Sequence, residues 1–233
     1  MKRSRRYKEI VAKVDKSKSY VLEVAVKLIK ELHTTKFDES VEVALNLGVD
    51  PKQSDQLIRG TVSLPHGTGK TVRVLVINRG DKDQEAKDAG ADHVGFQDYL
   101  KKIQEGWLDF DVVVATPDSM SEVGKLGKVL GTKGLMPNPK SGTVTADIGR
   151  TVREIKAGRI DFRVDKFGIL HSAVGKSSFL VDHLTENIIS FMATVIRLRP
   201  SSAKGQYIRK FTLSTTMGPG IKIDHNDLLN RLK

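Results

Sequence analysis

The chain has no cysteine in its 233 residues. That excludes disulfides, thiolate catalysis and cysteine-ligated zinc, and it agrees with a reducing compartment. There is no run of about 18 apolar residues, so no membrane span is expected. The first residues, MKRSRRYKEIVAKV, lack an apolar stretch ahead of a small-residue cleavage site. They read as a basic helix and not as a secretory signal. The six histidines, His33, His66, His93, His171, His183 and His225, include no i, i+4 pair with metal-ligand spacing. They read as surface or packed polar residues, and neither a metal nor a cofactor is expected. Long-period repeats and low-complexity segments are also missing.

A phosphate-binding loop is absent too, although one stretch imitates it. Gly67-Thr68-Gly69-Lys70-Thr71 ends like G-x-x-x-x-G-K-[ST]. Aligned on Gly69, however, the first position is Leu64, and Pro65 next to it restricts the turn. After Thr71 comes the strand pattern VRVLVI, where a helix N-terminus would have to hold the phosphate. Nucleotide hydrolysis is therefore not expected. Ser201-Ser202-Ala203-Lys204 matches S-x-x-K without its partner motifs. GADHVG and GKLGKVLG are glycine-rich but do not form G-x-G-x-x-G after a strand. No catalytic residue is assigned, and the chain is not read as an enzyme.

Positive charge, by contrast, is abundant. The net charge is +11 and the pI about 9.7. Such a balance points to a polyanionic partner, most often nucleic acid, with ordinary solubility charge as the alternative. Residues 1–66 hold 13 Lys and Arg against 9 Asp and Glu; residues 67–158 hold 14 against 13; residues 159–233 hold 12 against 6. The excess lies at the two ends, and solubility charge has no reason to spare the middle.

Hydrophobic periodicity divides the chain in the same places. Near the N-terminus, helices are expected over Arg5–Val14 and, capped by Ser19, through SYVLEVAVKLIKELHTTKF. Val41, Val43, Leu45 and Leu47 then alternate with polar residues in a half-buried strand that Asp50-Pro51 ends. From Lys70 the style becomes strand–helix alternation. TVRVLVIN, ADHVG and FDVVVATPD are strands, while DQEAKDAG, FQDYLKKIQEG, SMSEVGKLGKVL and DIGRTVREIKAG are helices, which implies a parallel sheet. After Gly158, RIDFRVDKFGILHSAVG reads as a hairpin turning at Asp165–Gly168. LVDHLTENIISFMATVIRL reads as an amphipathic helix with Leu184, Ile188, Phe191 and Val195 on one face. GQYIRKFTLSTTMG is a final strand. One strand in 1–66 cannot make a stable sheet and needs those of 159–233. The expected fold is therefore α/β and α+β in two domains. A discontinuous α+β domain of split β-α-β type, with an antiparallel sheet, comprises 1–66 and 159–233. A Rossmann-like three-layer α/β domain, 67–158, is inserted in it. Pro65, Gly67 and Gly69 at one crossing and Gly158 at the other are expected to form a hinge.

Four segments combine basic groups, small hydroxyls, glycine and lone aromatics. In TTKFDESVE, Phe37 beside Lys36 can stack on a base while the ammonium meets a phosphate, or it can be a core residue opening a strand. In DKFGILH, with Lys166, Phe167 and His171, the alternative is a plain turn with a half-buried phenylalanine. In TLSTTMGPG, Thr215 and Thr216 offer hydroxyls to ribose or phosphate, and Gly218-Pro219-Gly220 forces a turn and lets another backbone approach; the alternative is a simple strand end. In LGTKGLMPNPKSGTV, Lys133 and Lys140 can reach phosphates, or the loop is only a structural connection. Together they outline a surface that reads RNA shape and backbone.

The blocks KFDESVEVALNLGVDPKQSDQLIRGTVSLPHGTGK, VGKLGKVLGTKGLMPNPKSGTV, REIKAGRIDFRVDKFGILHSAVG and TTMGP closely resemble the bacterial-type ribosomal protein L-one family, from the mobile stalk of the large subunit. The resemblance spans essentially the whole chain, and blocks of this length are highly specific. It implies a first domain formed by both termini and a second inserted in it. It implies binding to the stalk region of large-subunit rRNA and a role in releasing exit-site tRNA. As in many bacterial members, it also implies repression of its own operon mRNA. The protein is expected to be a monomer when free and otherwise part of the large subunit of a cytoplasmic ribosome, with an organellar ribosome left open by the sequence. Carried over by motif, the principal rRNA contacts are Lys36, Phe37, Ser40, Glu42, Lys166, His171, Thr215, Thr216, Met217 and Gly218. Secondary contacts are Lys133 and Lys140. Thr132-Lys133 stands where members often carry Pro-Arg, which keeps the charge but loses bidentate phosphate geometry. IKIDHNDLLNRLK extends past the usual ending and reads as a short helix.

Overall fold

The computed structural model describes residues 3–80, 82–224 and 227. In chain order its elements are α1 (Arg5–Ala12), α2 (Leu22–Glu31), β1 (Ser40–Leu47), β2 (Arg59–Ser63), β3 (Val74–Ile77), α3 (Asp83–Asp88), β4 (His93–Gly95), α4 (Gln97–Gln104) and β5 (Val112–Ala115). They continue with α5 (Met120–Val123), α6 (Gly127–Thr132), α7 (Ile148–Lys156), β6 (Arg159–Arg163), β7 (Ile169–Lys176), α8 (Val181–Arg197), β8 (Ile208–Thr215) and β9 (Ile221–Ile223). The chain divides into two compact units, Met1–Gly69 with Asp161–Lys233, and Lys70–Ile160.

The first unit is built on an antiparallel sheet in the order β7-β1-β8-β9. Along β1 the side chains alternate: Val41, Val43, Leu45 and Leu47 are buried, whereas Glu42 is exposed and Ser40, Ala44 and Asn46 are half-buried. Helices α2 and α8 cover the buried face. The first contributes Leu22, Ala25, Val26 and Ile29, and the second Leu184, Ile188, Phe191 and Val195, all nearly inaccessible. Each such Leu, Val, Ile or Phe side chain is worth roughly 1.5–3 kcal/mol of transfer free energy. The opposite face of the sheet is left to solvent.

Asn187 interrupts the apolar face of α8 yet is fully buried. It accepts from the His66 N–H at 3.0 Å and donates to the Gly67 and Val174 carbonyls at 2.9 and 2.8 Å. His66 also meets Glu186 at 2.6 Å and stacks on His183, with ring centroids 3.9 Å apart. Gly67 and Gly69 both adopt the left-handed conformation, at φ 64° and 71°. A Cβ on Gly69 would also run into Lys176 and Phe179. The G-T-G-K-T stretch is thus fastened, as far as Gly69, to the first unit.

The second unit has three layers. Its parallel sheet runs β4-β3-β5, and every residue of β3 is buried. Leu75 and Ile77 pack with Leu100, Ile103, Val123, Leu126 and Leu130 on one face. Val74 and Val76 pack with Ala86, Ile148, Val152 and Ile155 on the other. Asp147 caps α7 by accepting from the Arg150 N–H, and Gly158, at φ 104°, follows its C-terminus in the left-handed geometry that ends a helix. At the base of the sheet, Asp111 accepts from Lys70 Nζ at 2.7 Å and from the N–H and Nε of Arg73. These donors, Lys70 foremost, hold its carboxyl at about 2, against the partial desolvation that raises it.

Four local expectations change. The predicted hairpin over 159–175 is not one: β6 pairs with β2 in a separate two-stranded sheet, β7 pairs with β1, and only Val164 bridges Leu170 between them. The first 66 residues therefore hold two strands and not one; Gly60 and the nearby Pro65 disguise β2 in the sequence. Ser19 does not cap α2. Tyr20 is tied to the sheet edge through Lys222 and Asp224, so the helix starts only at Leu22, after an extended Val21. The single helix expected over SMSEVGKLGKVL is broken into α5, a 3-10 turn at Gly124–Leu126 and α6, as its glycines favour. In the C-terminal extension Ile221–Ile223 is a strand; residues 225, 226 and 228–233 of the helix expected there lie outside the described residues.

These contacts make stability testable at two positions. Replacing Asn187 with Ala strands the His66 donor and two carbonyls in the interior; it should destabilise the first unit by about 2–3 kcal/mol and raise amide exchange at residues 170–174. The Asp111 carboxyl is depressed on folding. Its stabilisation is complete above its ordinary value of 3.8 and is lost as pH falls through about 2. Asp111→Asn should cost the second unit about 1–2 kcal/mol near neutral pH, with the deficit vanishing on acidification. The fluorescence of Trp107, the one tryptophan, reports on this unit during denaturation.

Candidate nucleic-acid interface

At one end of the first unit's sheet β8 finishes beside the start of β1, with Val41 opposite Thr215 and Glu42 opposite Ser214. The two segments are then stitched together. The Thr216 N–H donates to the Ser40 carbonyl at 3.2 Å, and the Ser40 N–H donates to Thr216 Oγ1 at 3.1 Å. The Met217 N–H reaches Glu39 Oε1 at 3.1 Å. Glu39 is only 2% exposed, and its other oxygen lies 3.0 Å from His33 Nδ1. Residues separated by about 175 positions in sequence thereby form one surface.

A third segment closes its flank. Lys176 Nζ donates to Ser40 Oγ at 3.0 Å. Asp38 accepts from the Ser177 hydroxyl at 2.9 Å and from the N–H and hydroxyl of Ser178 at 3.0 and 2.7 Å. Desolvation raises the Asp38 carboxyl, but these donors and Lys176 outweigh it and leave it below the ordinary carboxylate range. Lys30 donates to the Phe179 carbonyl from behind. An open hollow of about 300 Å³ lies between Lys36–Asp38 and Ser177–Ser178.

The structure separates the expected contacts into groups. Lys36, Phe37, Ser40, Glu42, Thr216, Met217 and Gly218 come together at this sheet end. Lys36, Glu42 and Thr216 are exposed, and Phe37 and Met217 show 52% and 47% of their surface. Phe37 is therefore not a core residue. Thr215 belongs to the group by position only: it is buried on the helix side, and Gly218 packs so closely that a Cβ there would strike its hydroxyl. His171, opposite Ala44, is exposed on the solvent face of the sheet, one pair along from Glu42. Lys166 is exposed near the far end of β1, about 20 Å away along six residues of strand. Beside it Phe167 is 81% exposed, more than the half-burial of a plain turn. Lys133 and Lys140 are exposed in the second unit, in a loop that Asn138 orders through Lys140 and Thr143.

Sequence reasoning missed Glu39, Asp38 and Lys176, which hold the surface in shape. Nothing local marks them, because their partners lie across the fold. Chemically, the exposed face offers an aromatic ring for stacking, the Lys36 ammonium for phosphate, and the Glu42 carboxylate and Thr216 hydroxyl as hydrogen-bonding groups for sugar or base edges. Among the described residues, no group of three or more His, Cys, Asp or Glu is placed to hold a metal ion.

Known proteins resemble this chain over nearly its whole length. Residues 29–219, which contain all of the sheet-end residues, match the Ribosomal protein L1p/L10e family. A protein of Chlorobium chlorochromatii named "Large ribosomal subunit protein uL1" is 56% identical over 219 residues, covering 94% of this chain and 96% of the relative. Its namesake in Thermobifida fusca is 55% identical over 226 residues, or 97% and 96% of the two chains. With the match running from the basic N-terminal unit through the inserted one and back to the Thr215–Gly218 turn, the chain belongs to the ribosomal protein L1p/L10e family.

Proposed function

We propose that this chain is a non-enzymatic protein of the large ribosomal subunit that binds rRNA of the stalk, assists release of tRNA from the exit site, and binds its own operon mRNA to repress translation. The observation that carries the reading is the joined surface at the start of β1 and the end of β8, in a chain whose close relatives carry a large-subunit name. Phe37 stacks on an unpaired base, Lys36 meets a phosphate, and Ser40, Glu42, Thr216, Met217 and Gly218 shape and line the contact. Thr215 acts from beneath by setting the turn. His171 extends the contact across the open sheet face, and Lys166 marks its far end. Lys133 and Lys140 serve as secondary phosphate contacts from the second unit, and the ribosome is taken to be the cytoplasmic one.

The inserted unit is joined by two crossings, after Gly69 and after Ile160. Because His66–Gly69 is bound to the first unit through Asn187 and neighbouring side chains, we place the pivot at the peptides beyond Gly69 and Gly158. Pro65 and Gly67 then serve to fix the approach.

Affinity for a stalk rRNA fragment should fall steeply with salt, because phosphate contacts release counterions. Lys36→Ala should reduce the slope of log K against log salt by about 0.7–0.9. Phe37→Ala should weaken binding by about 1–3 kcal/mol with little change in stability, since the ring is half in solvent. Filter binding across a salt series reads both. Salt-independent binding, or unchanged affinity in both variants, overturns the reading.

A further inference from the structure

The second unit contains a hollow that the sheet-end surface does not use. It has a volume of about 580 Å³, within the roughly 300–1,000 Å³ of ligand sites. Its position is set by topology. Arg79 lies just past the C-terminal end of β3, and Phe96 and Gln97 just past that of β4. In open parallel sheets, ligands bind beyond the carboxyl ends of the strands. Leu100 and Leu126, both almost fully buried, form an apolar floor, and Lys101 and Lys125 stand at the rim.

The lining combines chemistry suited to one kind of ligand. The Arg79 guanidinium sits 5.6 Å from the Phe96 ring centroid, so an aromatic face and a planar cation are already aligned. Lys125 is paired with Glu122 at 2.8 Å, whereas Arg79 and Lys101 make no ion pair with any described residue. Helix α4 begins at the pocket wall; its N-cap Phe96 makes no side-chain capping hydrogen bond, and Asp98 lies in its first turn. An aromatic ring, an apolar floor, two cations with no ion-pair partner among the described residues and a helix start complement a flat heterocycle attached to a phosphate.

We propose that this hollow binds a single nucleotide, its base against Phe96 and the Leu100–Leu126 floor and its phosphate toward Lys101 and the start of α4. The nucleotide is an unpaired residue of an RNA strand or a free mononucleotide. The RNA-strand form rests on the RNA-binding function proposed for the chain. No hydrolysis is implied, because the pocket presents no nucleophile–base pair.

The test uses the full chain, 15N-labelled, titrated with tetrauridylate, tetraadenylate and 5′-AMP. Binding of a stalk rRNA fragment is measured in parallel. Saturable shifts are expected at the amides of residues 96–104 and 122–126. Phe96→Ala should weaken them roughly fivefold or more. Lys101→Glu alters only an exposed side chain and leaves packing intact, and it should weaken them as well. Shifts with the oligonucleotides but not with AMP assign the site to an RNA strand, and the reverse assigns it to a free nucleotide. Absence of shifts in the second unit overturns the proposal, as does wild-type affinity in both variants. Shifts confined to residues 36–42 and 214–218 overturn the pocket while leaving the sheet-end surface intact. Pocket shifts in a chain that ignores the stalk fragment keep the pocket and sink the proposed rRNA binding.

Discussion

The first unit depends on the position of β1. This strand lies inside a four-stranded sheet, hydrogen-bonded along one edge to β7 and along the other to β8, both of which come after the inserted unit in the chain. Its alternating residues set which face the helices α2 and α8 can cover. Its first residues, with Glu39 just before it, set where the turn after β8 can sit. Sliding β1 by one residue would expose Val41, Val43, Leu45 and Leu47 and take Ser40 away from Thr216. Core and candidate RNA surface are therefore fixed by the same register.

The surface combines rigid support with exposed chemistry. Glu39 is buried and bound to His33 and to the Met217 amide, and Asp38 is bound to two serines. These carboxylates take up hydrogen-bond donors inside the assembly and leave Lys36, Phe37 and Glu42 facing outward. On the reading proposed above, contact residues held in this way lose little further freedom on binding, which favours affinity. The second unit uses different means. Its sheet is buried on both faces, and its exposed chemistry gathers at strand ends and loops.

Much of this was legible in the sequence because it depends on periodicity. The alternation of Val41 to Leu47 and the spacing of Leu184, Ile188, Phe191 and Val195 each reflect one element packing on one face, and the strand–helix alternation after Lys70 reflects a parallel sheet covered on both. What was not legible depends on partners far away in sequence. Residues 159–175 have the pattern of a hairpin, yet β6 chooses β2, a strand whose Gly60 and neighbouring Pro65 hide it. Ser19 has the chemistry of a cap, but Tyr20 is already committed to the sheet edge. Thr215 and Thr216 are identical residues side by side, and only the pleat of β8 decides that one hydroxyl is buried and the other exposed. Glu39 resembles any other acidic residue of a charged stretch until Met217 is placed against it.

The placement of β1 also has a consequence for synthesis. The second unit is complete once residue 160 has emerged, whereas β1, translated far earlier, must wait for β7 and then β8. Until β7 is available, at about residue 176, the apolar side of β1 has no sheet to join, and until about residue 218 the Phe37 surface has no Thr216 or Met217 beside it. The inserted unit can fold first, as domains do during translation, while the stretch before it stays unpaired. On the reading proposed above, recognition through this surface is thus withheld from the nascent chain until the turn after β8 has been made.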